Sequence, residues 1–200
     1  MRNNKREKIL LVAEMLMSRE GYRGVSFEKI ASKVGIHKST IFHYFRNKEE
    51  LLNGILDKSY DDVIKNLEEI IGNQALEPEE KLKRAFDNHL TLFVMHFDKA
   101  IISLNELRNL SGKKQGLFLQ KRRQYQEALE KLVIEMQTKG HFHLLDSKIV
   151  TFGILGLLNW VARWFRINGK FTIEDISEIF FKMIVKQEGR GVSSFHKRRS

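Results

Sequence analysis

"GIHKSTIFHYFRNKEEL", residues 35–51, is the stretch that decides the fold. A glycine and an aliphatic residue lead into a short run of hydroxyls, bases and aromatic rings, followed by Asn47, a helix-capping residue with Glu50 three positions on. Ile41 and Phe45 are four apart and share one face of a helix over 38–44, which leaves Lys38, Ser39, His43 and Tyr44 on or near the other side. Lys48 falls in the first turn of the next helix, where a cation opposes the helix dipole. It is therefore expected to answer to an external anion.

Working upstream, residues 5–20 put Ile9, Ala13, Leu16 and Met17 on one stripe of an amphipathic helix that Gly21 stops. Ser26 offers a hydroxyl to the free amides of a second helix over 27–34, which buries Ile30, Ala31 and Val34 and ends at Gly35, after which Ile36 returns to the core. Two short helices joined by a glycine turn, behind a longer first helix, make a helix-turn-helix within 45 residues. The second short helix is the one such an arrangement inserts into a DNA major groove.

The charge agrees. Of the net +10, residues 1–50 carry 11 Lys and Arg against 6 Asp and Glu, residues 51–188 carry 20 against 19, and residues 189–200 carry 4 against none. A nearly neutral body behind a basic N-terminal quarter suits a polyanion-binding module mounted on a separate apparatus. With 42% hydrophobic residues the chain can bury a core unaided, and with no cysteine it has no disulfide, thiolate metal site or thiol nucleophile. No apolar leader is visible, and the most apolar stretch, 149–165, is interrupted by Arg163, so a cytoplasmic protein without membrane association is expected.

Working downstream, one proline and 13 glycines in 200 residues predict long helices. One long helix is expected over 48–71, then others over 78–97, 99–110, 114–139, 147–167 and 173–187, the last opened by the capping box "TIED" (172–175). The fold class is all-α with about nine helices. Its organisation is a helix-turn-helix domain (1–50), a helical body (51–188) and a basic disordered tail (189–200) carrying Arg190, Lys197, Arg198 and Arg199.

The run "GYRGVSFEKIASKVGIHKSTIFHYFRNKEELL" (21–52) closely resembles the N-terminal signature of tetracycline-repressor-type (TetR) transcription regulators. The resemblance implies phosphate contacts from Ser26, Thr40, Tyr44 and Lys48, and base-edge contacts from Lys38, Ser39 and His43, joined by His37. Three positions depart from the pattern: His37 replaces a serine cap, Ser39 a common glycine, and Phe42 a frequent phosphate-binding tyrosine. Phe42 and Phe45 are expected to hold the short helix on its support.

The family resemblance makes the rest of the chain a helical ligand-binding and dimerisation domain. The segments "NELRNL" (105–110), "KRRQYQEAL" (121–129) and 157–185 further resemble a subgroup that regulates fatty-acid degradation in response to acyl-coenzyme A. The implied effector-binding set is Phe86, Leu90, Phe93, Phe97, Leu104, Arg108, Phe118, Arg122 and Tyr125, combining an apolar tunnel with cations for phosphates. The same residues also suit an ordinary core beside a solvated basic face. Gly153, Gly156, Trp160, Trp164, Ile176, Phe180 and Met183 are expected to form a two-fold, four-helix homodimer interface. His89 with His96, and His141 with His143, lack a third ligand at convincing spacing, so neither a metal nor a cofactor is expected.

The expected function is a ligand-responsive repressor that binds a palindromic operator as a dimer and is released by a hydrophobic effector such as a fatty acyl-coenzyme A. Two alternatives are a drug-sensing repressor of an efflux system and an effector-free DNA-packing protein. No P-loop, nucleophile elbow or zinc-protease motif is present, and no enzymatic activity is expected.

Overall fold

The first helix, α1 (Arg2–Gly24), buries Ile9, Ala13, Leu16 and Met17, and Gly21 breaks its last turn at φ 74° and ψ 163°. That φ lies in the left-handed region, and a Cβ there would meet Glu106 Oε1 at 3.2 Å, so glycine suits the position twice over. α2 (Phe27–Val34) begins at Ser26, whose hydroxyl accepts the Lys29 N–H at 3.3 Å, and ends at Gly35 in the left-handed conformation. α3 (Lys38–Phe42) is shorter than expected. Beyond it the N–H groups of Tyr44 and Phe45 still donate to Ile41 O, both at 2.9 Å, which brings Phe45 into the core.

This computed structural model describes residues 2–57, 61–142 and 145–185. The tail 189–200, the last two residues of the expected 173–187 helix, and His143 lie outside the described residues. Within them the chain forms ten α-helices and a 3-10 turn, Leu107–Asn109.

The extra helix comes from a correction. The single helix expected over 48–71 is two, α4 (Lys48–Leu56) and α5 (Asp61–Gly72), because Asp57 leaves helical geometry at ψ 132°. An acidic residue is unfavourable at a helix C-terminus and favourable at an N-terminus, so Asp57 suits a stop and Asp61 with Asp62 suits a restart. The apolar faces diverge too: Leu51, Leu52, Ile55 and Leu56 join one core, and Leu67 joins another.

The body continues with α6 (Pro78–Met95), α7 (Phe97–Asn105), α8 (Gly112–Thr138), α9 (Ser147–Trp164) and α10 (Ile173–Val185). The boundaries are local chemistry. Pro78 takes the first turn of α6, Asp146 accepts the Ile149 N–H at 3.0 Å, and Thr172 and Asp175 close a reciprocal capping box at 2.9 and 3.1 Å. The helix expected over 99–110 starts earlier and stops at Asn105, and the 3-10 turn follows.

Two apolar cores result. The head core joins Ile9, Ile30, Ile41 and Leu51 to Ile102, Leu107, Leu110 and Phe118, while the body core gathers Phe86, Leu90, Leu132, Met136, Leu158 and Val161. Each fully buried aliphatic or aromatic side chain contributes about 1.5–3 kcal/mol by leaving water. Helix α7 belongs to both units, packing on α1 and α4 on one side and on α6 and α9 on the other. Polar ties reinforce the junction: Ser18 Oγ donates to Asp98 Oδ1 at 2.6 Å, the Tyr22 N–H donates to Glu106 Oε1 at 3.1 Å, and Glu49 accepts from the N–H and hydroxyl of Ser111 at 3.0 Å each. Among the described residues, no helix is long and apolar enough to cross a membrane.

Candidate nucleic-acid interface and effector cavity

Helix α3 is anchored by Ile41 beneath it and Phe45 behind it, the latter with the Arg6 guanidinium 5.2 Å from its ring centre. What remains outward is the polar set. Ser26, His37, Lys38, Ser39 and His43 are exposed, while Thr40, Tyr44 and Lys48 are half-buried. His37 makes no side-chain cap bond, so the substitution for a capping serine leaves its imidazole uncommitted to the helix end.

One expectation about this surface is corrected, and another gains a detail the sequence did not show. Phe42 does not anchor the helix: its ring is 48% exposed, touching Phe27 edge-on at 5.0 Å with the Lys38 ammonium 5.7 Å from its centre. Lys48 has internal partners as well. Its ammonium donates to Val25 O at 2.7 Å and lies 4.3 Å from the centre of the Tyr22 ring, and this burial pushes its pKa down although Glu106 pulls it up. The carbonyl and the ring answer the unfavourable dipole from within, and the same bond brings Lys48 beside Ser26. An ammonium has three donors, so one accepted bond leaves others for a phosphate.

Lys38 forms an ion pair with Glu28 across the α2–α3 turn, and that bond, with backbone and Ser26 hydrogen bonds, pulls the Glu28 carboxyl down to about 2. Both groups face solvent, so the pair holds Lys38 in place without contributing much to stability.

In the body, α6, α7, α8 and α9 surround a cavity of about 390 Å³, with residues from the α4–α5 junction at its rim. Phe93, Leu104, Arg122 and Tyr125 of the expected set line it. The other five do not. Phe86 and Leu90 are fully buried in the body core, Phe118 belongs to the head core, and Phe97 packs edge-on against Phe93 at 5.4 Å. Arg108 instead lines a separate polar recess of about 540 Å³ between α1 and α7, together with Asn105, Glu106 and Arg163.

Polar residues absent from the expected set complete the cavity wall: His89, Lys99, Ser103, Gln126 and Asn159. His89 Nδ1 lies 2.8 Å from Tyr125 Oη, and burial pushes the imidazole down to about 4, so it is neutral at pH 7. Asn159 carried a sequence signal, being a polar residue inside the apolar run "GILGLLNWV" (153–161). His89 and His96 both reach the cavity, yet among the described residues no three His, Asp or Glu side chains converge as for a metal.

On the outside of α9, Ile149, Gly153, Trp160 and Trp164 form one exposed stripe at helical spacing, bordered by Phe152 and Gly156, which also line the cavity, and Met183 of α10 is exposed as well. Trp160 is 63% exposed, and a Cβ on Gly153 or Gly156 would meet nothing within 4 Å. Phe180 is half-buried. Ile176 corrects the expected interface set: only 3% exposed, it faces the body core, because α10 turns that side toward α6.

A family model described as bacterial regulatory proteins, tetR family, matches residues 9–55, and one described as tetracyclin repressor-like, C-terminal domain, matches residues 75–187. The chain belongs to the TetR family. Among its relatives is the HTH-type transcriptional repressor KstR2 of Mycobacterium tuberculosis, 23% identical over 186 residues that cover 92% of each chain. The fatty acid metabolism regulator protein of Bacillus subtilis is 25% identical over 180 residues, 89% of this chain and 92% of that one. Among solved structures, AibR in complex with isovaleryl coenzyme A and operator DNA superposes with a TM-score of 0.81 at 25% identity, over 90% of this chain and 98% of that chain.

As a TetR-family member the protein is an all-helical, DNA-binding transcription regulator. The matched head, residues 9–55, contains the outward polar set of α3 and its surroundings from Ser26 to Lys48, and the matched body contains the cavity wall from His89 to Asn159.

Proposed function

We propose that the protein is a transcriptional repressor that holds a palindromic operator as a homodimer and releases it when an acyl-coenzyme A enters the body cavity. The observation that carries this is the position of α7. Its Lys99, Ala100, Ser103 and Leu104 line the cavity, while Asp98 and Glu106 at its ends hold the head through Ser18 and the Tyr22 N–H. An occupant that displaces α7 therefore moves the head. Release requires that the effector bind the DNA-incompetent arrangement more tightly, and the coupling equals that difference in affinity.

The cavity supports an acyl chain as the enclosed part. Its volume of about 390 Å³ falls in the small-molecule range, and Leu92, Phe93, Leu104 and Leu155 give it an apolar wall, while Arg122 is exposed at the rim, where the phosphates of coenzyme A would sit. The relatives named for a fatty acid metabolism regulator and for an isovaleryl coenzyme A complex support the same effector class. The exposed apolar stripe of α9 supports the dimer, since two copies of α3 must stand about 34 Å apart to read two half-sites. Ser26, Thr40, Tyr44 and Lys48 are assigned to phosphates, and His37, Lys38, Ser39 and His43 to base edges.

A second reading has its own observation. Asp57 and Asp62 stand at the cavity rim and would suit a hydrophobic cation, as in a drug-sensing repressor. Thermal shift and operator release distinguish the two. Acyl-coenzyme A esters of increasing length are expected to raise the melting temperature and free the DNA, whereas hydrophobic cations are expected to do neither. The opposite pattern would replace the lipid reading with the drug-sensing one, and binding without sequence preference would leave a DNA-packing protein.

A further inference from the structure

The two groups that hold the Lys48 ammonium, the Val25 carbonyl at 2.7 Å and the Tyr22 ring at 4.3 Å, both belong to the stretch between the break at Gly21 and the cap at Ser26. The helix ladder does not run unbroken into that stretch. A ψ of 163° at Gly21 turns the following N–H out of the helical direction, and the Tyr22 N–H donates instead to Glu106 Oε1 of the body at 3.1 Å. The approach is so close that a Cβ on Gly21 would stand 3.2 Å from that oxygen. Glu106 is itself aimed, because Asn109 Nδ2 donates to its other oxygen, Oε2, at 2.7 Å. A carboxylate at the C-terminal end of α7 opposes the helix dipole, so Glu106 does nothing for its own helix. Its contribution is to the head.

We infer that Glu106 is a positioning residue for DNA binding: through the Tyr22 N–H it sets the Tyr22 ring, and the ring together with the Val25 carbonyl sets the Lys48 ammonium for a phosphate. The inference rests on the assignment of Lys48 to a phosphate above, and not on the identity of the effector. It carries the link between body and duplex down to single side chains. A lysine has a long, flexible stem, and a cradle that orders it in advance lowers what the phosphate contact must order. Glu106 moves with α7, so a shift of that helix takes the cradle with it and leaves Lys48 to be ordered afresh.

The test counts phosphate contacts by salt dependence, since each contributes about 0.9 to the slope of log affinity against log salt concentration. A fluorescent duplex selected from a random pool by the wild-type protein is titrated over a series of sodium chloride concentrations, with circular dichroism confirming that each variant is folded. Lys48→Met is expected to lower the slope by about 0.9 per subunit bound. Glu106→Ala is expected to lower it by a similar amount, and combining the two substitutions should lower it no further. Glu106→Gln should keep the wild-type slope, because its carboxamide oxygen can accept the Tyr22 N–H while its amide donates to Asn109 Oδ1 once the Asn109 amide turns over. Tyr22→Leu removes the ring but not the backbone bond to Glu106, and it should lower the slope as Lys48→Met does, which keeps the inference testable should Glu106→Ala fail to fold. A purely structural role for Glu106 would lower the melting temperature and leave the slope as it is. An unchanged slope in Glu106→Ala or in Tyr22→Leu, beside a lowered one in Lys48→Met, overturns the positioning role and keeps the phosphate assignment. An unchanged slope in Lys48→Met, or a wild-type protein that selects no duplex, overturns both.

Discussion

The head and the body of this molecule treat their interiors and surfaces in opposite ways. In the head, Ile9, Ala13, Ile30, Ile41, Leu51 and Leu52 are fully buried and the polar groups stand outside on α3, several of them held by capping or ion-pair geometry. In the body, a cavity of about 390 Å³ interrupts the packing and polar groups line it from within, while apolar side chains stand outside on α9. A packed core under a hydroxylated, basic surface makes a rigid reader of a polyanion. A hollow core under an apolar surface is what the proposed receptor, completed by a second copy and a ligand, requires. Helix α7, built into both, is where the two kinds of interior meet.

That contrast can be broken from either side. Trp160→Asp places a charge at the centre of the α9 stripe and should give a monomer by light scattering. Losing the second reading head should then cost operator affinity roughly 100-fold or more, read by fluorescence anisotropy. An unchanged dimer would mean that the exposed stripe serves something else.

The hollow interior has a pH signature. The folded pKa of His89, about 4, is depressed below its ordinary 6.5, so the unfolded chain takes up the proton more readily. The wild-type protein should hold its full stability above about pH 6.5 and lose roughly 2–3 kcal/mol on this account as the pH falls to about 4.5. His89→Gln should lack that component, and urea titrations of both proteins at the two pH values measure it as a difference. Parallel losses in the two proteins would assign the acid sensitivity to other groups.

On the head, Thr40→Val removes a hydroxyl without disturbing Ile41 beneath it, and operator affinity should fall about tenfold with no change in melting temperature. The smallest effect is expected from Glu28→Gln. Releasing Lys38 and removing an anion from beside the duplex should raise DNA affinity about twofold, more at low salt than at high. A fall would mean that the ion pair positions Lys38 for its contact.

The head was legible in the sequence because its decisive interactions are short-range. Ser26 caps an amide three residues on, Asn47 does the same, and Gly35 supplies one left-handed residue, so type and spacing alone predict them. The body was legible only as helices. Phe86, Leu90, Phe93 and Phe97 follow one helical stripe, yet the first two enter the core, Phe93 reaches the cavity, and Phe97 lies past the break at His96. Ile176 and Met183 are seven apart on α10, yet one is buried and the other is 54% exposed. Periodicity says which residues share a face. It does not say where along its length that face meets a neighbour, a void or water.

Lys48 and Phe42 show the same limit inside the head. The sequence placed a cation at a helix N-terminus and a ring on a short helix, and from dipole and hydrophobicity alone it implied an external anion and a buried ring. The carbonyl of Val25 and the ring of Tyr22, 23 and 26 positions away, give the first partners that no local rule foresaw, and the second stays 48% exposed, touching Phe27 only edge-on.

By itself, the sequence determined the helix-turn-helix head, the helical class of the body, the caps that bound most helices and the polar face turned outward on α3. Only the tertiary structure decided that the 48–71 helix divides at Asp57, that five of the nine expected effector residues lie away from the cavity, and that His89 and Asn159 line it. The physical reason is range. Hydrogen bonds within a turn are written in neighbouring residues, whereas a cavity is the gap left where four helices fail to fill the space between them, and no single helix encodes a gap.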